Sequence, residues 1–327
     1  MSGRRVWKII RNILLVLAGL VAAFFLLFVP WFFTHFVTTH QYHFHDPNDG
    51  KTPASFGMED YTAITFPSTD GISLKGWFAP AGSNPRGTII FCHGLNRTRV
   101  EMLPLAGYAH GLGFDALLFD FRHQGESGGK ITTLGYQERL DAEGAARYAR
   151  RELKAPRPII LWGISMGAAA ALMAAADSPN IAAVISDSSW TTFHELIAHH
   201  AKLFMGLPSF PIPDEIEYGI ALRGRFWPSD FNLIKAVQKI GTRPILFVAV
   251  ENDRRMPPAY AEALYAASAS PGKAIVVVPG KRHGEGFNSG REPYEAAVKK
   301  FLDQVAPPAA VAPPENPQAQ GNARRSK

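Results

Sequence analysis

The sequence predicts an α/β domain with a mostly parallel central sheet flanked by helices, preceded by an N-terminal transmembrane helix. Short apolar segments alternate with helix-like segments through most of the 327 residues. The alternation begins with two strand-like segments joined by a tight turn. Before it, residues 13–34 contain no charged side chain, which predicts the transmembrane helix. Apolar strands that alternate with helices are typical of a parallel sheet covered on both faces.

The composition fits one folded domain with appendages. A hydrophobic content of 46% over this length is enough for a substantial core. Cys92 is the only cysteine, so the fold cannot depend on an intrachain disulfide, and its place in an apolar strand predicts a buried thiol. The net charge of +6 comes from the two ends of the chain, and residues 12–305 are formally neutral. We therefore expect no nucleic-acid partner.

The N-terminal segment is interpreted as a signal anchor. Residues 1–11 carry four basic side chains, and residues 12–36 are long enough to cross a bilayer, which takes about 20 helical residues. The basic flank predicts a cytoplasmic N-terminus, a single span and a catalytic domain on the extracytoplasmic side. The alternative is a cleaved signal peptide, but the apolar run exceeds the usual ~7–15 residues and lacks a small-x-small cleavage site.

Residues 37–59 are expected to link this helix to the folded domain. His35, His40, His43 and His45 lie at the end of the predicted span and in the first part of this linker. They could be imagined as metal ligands, but no acidic or cysteine residues accompany them at fixed spacing. A juxtamembrane linker is therefore the preferred interpretation.

The folded domain is predicted over residues 60–305. Its strands and helices follow from runs of apolar residues separated by turn signals. The predicted strands cover residues 61–66, 72–78, 88–92, 116–119, 159–162, 181–185, 244–250 and 274–278. The predicted helices cover residues 136–153, 257–267 and 293–305.

Two segments fall outside this alternation. Residues 190–240 are too long for an ordinary crossover and carry many apolar side chains among prolines. We expect a helical cap over an active site, with an amphipathic insertion that rests on the body or the membrane as the alternative. Residues 306–327 are rich in Pro, Ala and Gln, which predicts a disordered tail.

The candidate nucleophile is Ser165, at the centre of a Gly-x-Ser-x-Gly motif. A buried strand precedes this motif and a helix of small residues follows it, which is the context that a nucleophile elbow requires. Gly163 and Gly167 would be needed because larger side chains there would collide with neighbouring backbone.

A serine nucleophile needs a base, and the base needs an acid that orients it. Asp253 and His283 follow two later strands, in the order Ser, Asp, His that this elbow type uses. Asp253 could instead be a turn or helix-capping carboxylate, and His283 an exposed loop histidine. Asp187 and Glu251 are alternative acids.

The developing oxyanion needs two backbone N–H donors. Met166, directly after the candidate nucleophile, is expected to supply one. The loop His93–Gly94–Leu95 follows a strand and is placed to supply the second through the N–H of Leu95. His93 would then have a structural role.

Together these residues resemble the α/β-hydrolase superfamily over most of residues 60–305. The likeness lies in His93–Gly94, in the Asp-x-Arg-x-x-Gly-x-Ser loop at 120–127, in the elbow, in Asp253 with Met256–Pro257, and in His283–Gly284. The resemblance implies an α/β-hydrolase fold, a mainly architectural role for the 120–127 loop, and acyl-bond hydrolysis. The anchored arrangement is similar to BEM46-like hydrolases. The surroundings of Asp253 and His283 also resemble prolyl-oligopeptidase-type catalytic domains, although no propeller domain precedes them here.

The function predicted is a membrane-anchored serine hydrolase that cleaves an ester or thioester. The anchor and the apolar insertion favour a lipid or other small acyl substrate, and no cofactor or metal is expected. A peptidase or amidase with the same residues stays open, as does a binding protein that keeps the fold without turnover. Arg97, Arg99 and Arg122 could place charge near the site, but ordinary surface arginines are the simpler interpretation.

Overall fold

The computed structural model describes residues 3–41, 44–155 and 158–308. The tail expected over residues 306–327 therefore falls almost entirely outside the described residues, as does His43. The N-terminal helical region is continuous from Gly3 to Thr39 and consists of α1 (Gly3–Ala23), a π-helical turn (Phe24–Phe28) and α2 (Val29–Thr39). It thus starts before and ends after the span expected from the charge pattern.

The body contains eight strands in one sheet. The strands are β1 (Thr62–Pro67), β2 (Ser73–Ala79), β3 (Thr88–Cys92), β4 (Asp115–Phe119), β5 (Ile159–Ile164), β6 (Ala183–Asp187), β7 (Ile245–Val250) and β8 (Ala274–Val278). Their spatial order is β1-β2-β4-β3-β5-β6-β7-β8. β1 and β2 pair antiparallel, β2 pairs antiparallel with β4, and all later pairs are parallel. The predicted antiparallel start and parallel body are confirmed.

Helices cover both faces of this sheet. They are α3 (Leu103–Gly111), α4 (Glu138–Arg151), α5 (Met166–Asp177), α6 (Phe193–Met205), α7 (Ile212–Gly224), α8 (Leu233–Ile240), α9 (Pro258–Ala267), α10 (Gly286–Ser289) and α11 (Arg291–Val305). Short 3-10 turns lie at Pro53–Phe56, Arg99–Met102 and Pro228–Asp230. Two apolar clusters result, one beneath α4, α5 and α8 and one beneath α3 and α11. Cys92 is fully buried in β3, as predicted.

The insertion between β6 and β7 has two parts. α6 and α7 pack against each other and stand apart from the sheet, whereas α8 packs on α5 and belongs to the body. We call α6 and α7, the part of the 190–240 insertion that stands apart from the sheet, the cap. α7 also packs against α2, so that the cap contacts the N-terminal helix.

Candidate active site

The elbow between β5 and α5 holds Ser165 in an uncommon backbone conformation. Its φ and ψ are +55° and −117°, a region that non-glycine residues rarely occupy. A side chain at Gly167 would overlap the carbonyl of Cys92, and one at Gly163 would overlap the backbone of Gly167. The steric reason predicted for both glycines is therefore present.

Asp253 and His283 lie side by side at the carboxyl edge of the sheet. Asp253 Oδ2 and His283 Nδ1 are 2.7 Å apart. Asp253 Oδ1 accepts the N–H groups of Arg255 and Met256 at 2.8 and 3.0 Å, which fixes the carboxylate. Burial alone would raise the pKa of Asp253, but the hydrogen bond and charge of His283 outweigh it and lower the pKa below its usual value. An ionised Asp253 can therefore orient the imidazole.

The second ring nitrogen of His283 points away from Asp253. His283 Nε2 is buried and has no hydrogen-bond partner among the described residues. Ser165 and His283 line the same cavity, but no hydrogen bond joins them in the described part of the chain. Such bonds are often long before substrate binds and shorten in the reacting complex.

The two alternative acids have other surroundings. Asp187 is buried, accepts the Tyr294 hydroxyl at 2.7 Å and accepts the Ser188 hydroxyl at 2.7 Å. Burial raises its pKa, and its backbone carbonyl accepts the N–H of Ser165. Glu251 is exposed. The carboxylate that contacts His283 is therefore that of Asp253.

The loop after β3 is held rigidly beside the elbow. His93 is fully buried, and its Nε2 accepts the N–H of Phe121 at 3.0 Å while its Nδ1–H donates to the Gly94 carbonyl at 2.8 Å. These bonds require the neutral ring, and burial lowers the pKa of His93. The Gly94 N–H donates to Glu101 at 2.6 Å. These contacts agree with a structural role for His93.

The two candidate oxyanion donors are the N–H groups of Leu95 and Met166. Leu95 precedes Ser165 in the sequence and Met166 follows it, but both lie near Ser165 in space. Met166 begins α5, where helix N–H groups are free of helical partners. Leu95 lines both cavities that reach Ser165. Neither N–H donates to a side chain or loop carbonyl in the described residues. Both remain available to a ligand atom.

Two cavities meet at Ser165. The first, of about 270 Å³, is apolar and is bounded by α2, α6, α7 and the elbow. Its lining residues are Phe33, Phe36, Val37, Leu95, Leu134, Ser165, Met166, Trp190, Leu196, Ile197, His200, Ala201, Phe204, Met205, Ile216, Arg255 and Met256. The second, of about 420 Å³, is more polar and is lined by Phe44, Gly94, Leu95, Asn96, Arg97, Glu101, Ile164, Ser165, Phe204, Arg255, His283 and Gly284.

The three arginines considered from sequence have different positions. Arg97 lines the polar cavity and lies 3.5 Å from Glu101. Arg99 and Arg122 are buried, which corrects their interpretation as surface residues. Arg99 pairs with Asp120 at 2.9 Å, and Arg122 pairs with Asp141 at 2.7 Å. These pairs fix the 120–127 loop and agree with its expected architectural role.

Several residues at the site were not predicted. His200 and Arg255 line the apolar cavity, and so do Phe33, Phe36 and Val37 of the N-terminal helix. Burial, with nearby Arg255, lowers the pKa of His200 to about 3, so its ring is neutral. The i, i+3, i+4 spacing of the three N-terminal residues could have indicated one helix face.

One group of side chains in the described residues has donors suited to a metal. His194 on α6 and Asp214 and Glu217 on α7 bring their ligand atoms within 4.8 Å of one another. His194 Nδ1 lies 2.9 Å from Glu217 Oε2, so that the pair already satisfies itself by hydrogen bonding. None of the three lines either cavity at Ser165.

Comparisons with known proteins identify a matching family, several relatives and solved structures with a similar fold. Residues 83–215 match the family described as Serine aminopeptidase, S33. The chain is 30% identical over 264 residues to Rv2307c of Mycobacterium tuberculosis, and the matched region covers 80% of this chain and 86% of that protein. It is 24% identical over 212 residues to bem46 of Schizosaccharomyces pombe, covering 63% of this chain and 65% of that protein. The Pyrococcus furiosus esterase Pf2001 superposes with a TM-score of 0.65 at 23% identity, over 81% of this chain and 98% of the esterase.

Proposed function

The chain belongs to the α/β-hydrolase superfamily and resembles its BEM46-like members, and we propose that it is a membrane-anchored serine hydrolase cleaving an ester or thioester. The observation that carries this proposal is the oriented pair His283 and Asp253, 2.7 Å apart, in the same cavity as an elbow serine. The proposed reaction also requires a nucleophile, two N–H donors for the oxyanion and space for an acyl group. Ser165, the N–H groups of Leu95 and Met166, and the apolar cavity are the candidates for these roles.

The proposed reaction passes through an acyl-enzyme. Ser165 Oγ attacks the acyl carbonyl carbon while His283 Nε2 takes the hydroxyl proton, and the N–H groups of Leu95 and Met166 bind the oxyanion. Collapse expels the alkoxide or thiolate, which receives the proton from His283. Water then attacks the acyl carbon and gives its proton to His283, and the free acid leaves as Ser165 regains its proton.

The apolar cavity favours an acyl group of hydrocarbon character. Its described lining includes a single charged side chain, Arg255. A buried hydrocarbon chain contributes roughly 0.8 kcal/mol for each methylene removed from water. The polar cavity on the other side of Ser165 would then receive the leaving group.

A peptidase is the second candidate, because the matching family is described as a serine aminopeptidase. An aminopeptidase needs an acidic group for the substrate's amine, and Glu101 is the carboxylate that lines the polar cavity. This carboxylate already accepts the Gly94 N–H and lies near Arg97. The ester or thioester substrate is therefore preferred.

A fluorophosphonate probe tests the nucleophile. We expect the full-length protein to be labelled, Ser165→Ala and His283→Ala to lose labelling, and Ser83→Ala, which changes an exposed serine in the loop between β2 and β3, to keep it. Labelling that persists in Ser165→Ala would remove the proposal. Acyl esters of increasing chain length, compared with peptide anilides, would then separate the esterase from the peptidase.

We also propose that the helix from Gly3 to Thr39 spans the membrane. It is 37 residues long, and its side chains are exposed through Phe28 although nearly all are apolar beyond Arg11. Such a surface is stable in hydrocarbon and not in water. The basic N-terminus predicts an extracytoplasmic catalytic domain. A reporter that is active only in the cytoplasm would be fused after residue 305. Activity of this reporter would overturn the proposed orientation.

A further inference from the structure

The N-terminal helix is docked on the catalytic body through α2. Thr34 is buried against Gly219 of α7, where any side chain at position 219 would overlap it. Thr34 Oγ1 lies 3.4 Å from the Ile216 carbonyl. One turn later the Thr38 carbonyl accepts the N–H of Thr132 at 2.9 Å. The last turns of the helix are thus held both by α7 of the cap and by the loop before α4 in the body.

The side of α2 next to this contact faces the candidate active site. Phe33, Phe36 and Val37 line the apolar cavity together with Ser165 and Met166. The cavity wall is therefore partly made by the same helix that is proposed to cross the membrane. Without α2, that side of the cavity would be open.

The position of this wall relative to the bilayer follows from helix length. Arg11 is the last charged residue before the apolar run, and about 20 further residues cross the hydrocarbon core. The hydrocarbon core of the bilayer then ends near Trp31, and tryptophan side chains favour the membrane–water interface. Phe33, Phe36 and Val37 come directly after it, so the cavity lies at the bilayer surface.

The rim of the cavity is itself apolar and exposed. Phe36 on α2 is 45% exposed and Phe204 on α6 is 64% exposed, and both line the cavity. Large exposed aromatic side chains on two separate elements are costly in water but stable against lipid. The opening is therefore suited to a hydrocarbon chain that arrives from the bilayer.

We propose that Phe33, Phe36 and Val37 are specificity-determining residues, and that the substrate is a long-chain acyl lipid whose chain enters from the bilayer along α2. This inference rests on the proposed serine hydrolase activity and adds the substrate class and the residues that select it. The acyl chain lies against α2, the carbonyl carbon lies at Ser165, and the polar leaving group lies in the second cavity.

The test compares two phenylalanines one helical turn apart. Phe32 and Phe36 are similarly exposed, at 43% and 45%, but Phe32 does not line the cavity. Full-length Phe32→Ser and Phe36→Ser would be reconstituted in phosphatidylcholine vesicles. The labelling rates of ethyl and hexadecyl fluorophosphonates would then be measured for each. Val37→Trp, which fills the cavity from the same helix, provides a second variant.

We expect the hexadecyl-to-ethyl rate ratio to fall roughly tenfold or more in Phe36→Ser, as is typical when an apolar pocket contact is lost. The ratio should fall in Val37→Trp and stay at the wild-type value in Phe32→Ser. Equal ratios in Phe36→Ser, Val37→Trp and wild type would overturn this inference while leaving the serine hydrolase intact. If neither probe labels wild type, the proposed activity and this inference both fail.

Discussion

The two cavities that meet at Ser165 differ in the elements that build them. The polar cavity is made largely from loops that follow strands, including the His93–Leu95 loop and the loop carrying His283. The apolar cavity is made largely from helices that lie outside the sheet, namely α2, α6 and α7. On the proposed mechanism the reacting groups therefore depend on the sheet, and the binding of an acyl chain depends on the cap and the N-terminal helix.

The difference between the two cavities predicts two kinds of mutational effect. Altering the sheet-edge loops should reduce the reaction for every acyl chain, because the same groups act on each carbonyl. Altering the helices should change the preference for chain length, because only longer chains reach them. Substitutions on the two sides can therefore be told apart by comparing acetyl and palmitoyl esters.

The largest expected effect is that of Asp253→Asn. The amide cannot stabilise the charged imidazole and disturbs the tautomer, and the matching change in a serine protease lowers kcat by about 10⁴. We expect a loss of roughly that size for both esters in steady-state kinetics.

Asp187→Asn is the matched control. Asp187 accepts two hydroxyl groups and makes no hydrogen bond to His283 among the described residues, so the change should lower Tm by weakening those bonds and leave most of kcat. A loss of kcat in Asp187→Asn as large as in Asp253→Asn would show that the acid has been misassigned.

A smaller and chain-specific effect is expected from Gly219→Ala. The added methyl group overlaps Thr34 and forces α2 away from α7. The ratio of kcat/KM for palmitoyl over acetyl ester should fall severalfold, while the acetyl rate changes little.

Thr34→Ala in the same chain removes Oγ1 and Cγ2, the two Thr34 atoms nearest to the new methyl group, and should restore much of the ratio. Thr34→Ala alone provides the baseline. An unchanged ratio in Gly219→Ala would mean that the packing of α2 on α7 does not shape the acyl pocket.

The smallest effect concerns Glu101 on the polar side. Burial raises its pKa to about 7 from 4.5, against the opposing influence of Gly94 and Arg97. The folded state therefore binds this proton more tightly than the unfolded state, and the carboxyl destabilises the fold as pH rises from 4.5 through 7.

Glu101→Gln removes this titration. Thermal unfolding across that pH range should show wild type losing Tm relative to Glu101→Gln as the pH rises. Parallel Tm curves for the two proteins would contradict the raised pKa. Any change in rate should be equal for acetyl and palmitoyl esters, because Glu101 holds the loop beside the elbow and does not line the apolar cavity.

The sheet and its loops could be predicted because their signals are local. Each strand is a short apolar run, and Ser165, Asp253 and His283 each follow one such run. Strand boundaries depend also on pairing: the apolar run predicts β6 over residues 181–185, but the strand lies at Ala183–Asp187. Ile181 is buried like a strand residue, but pairing with β5 starts at Ala183 and continues through Ser186 and Asp187.

The wall formed by α2 could not be predicted because it depends on contacts distant in sequence. Thr34 and Ile216 are 182 positions apart, and nothing near Thr34 indicates that α7 has a glycine opposite it. Arg99 and Arg122 were misjudged for a related reason, since charged residues are usually exposed. Their partners Asp120 and Asp141 become visible only when the loop and α4 are brought together.

The acyl-enzyme tests the central claim most directly. Full-length wild type, His283→Ala and Ser165→Ala would each be mixed with a palmitoyl ester, quenched in acid and mapped by peptide mass spectrometry. We predict a palmitoyl adduct on the peptide containing Ser165 in wild type, at a level that falls in His283→Ala and is absent in Ser165→Ala. A palmitoyl adduct on another residue, or ester turnover by Ser165→Ala at the wild-type rate, would contradict the account.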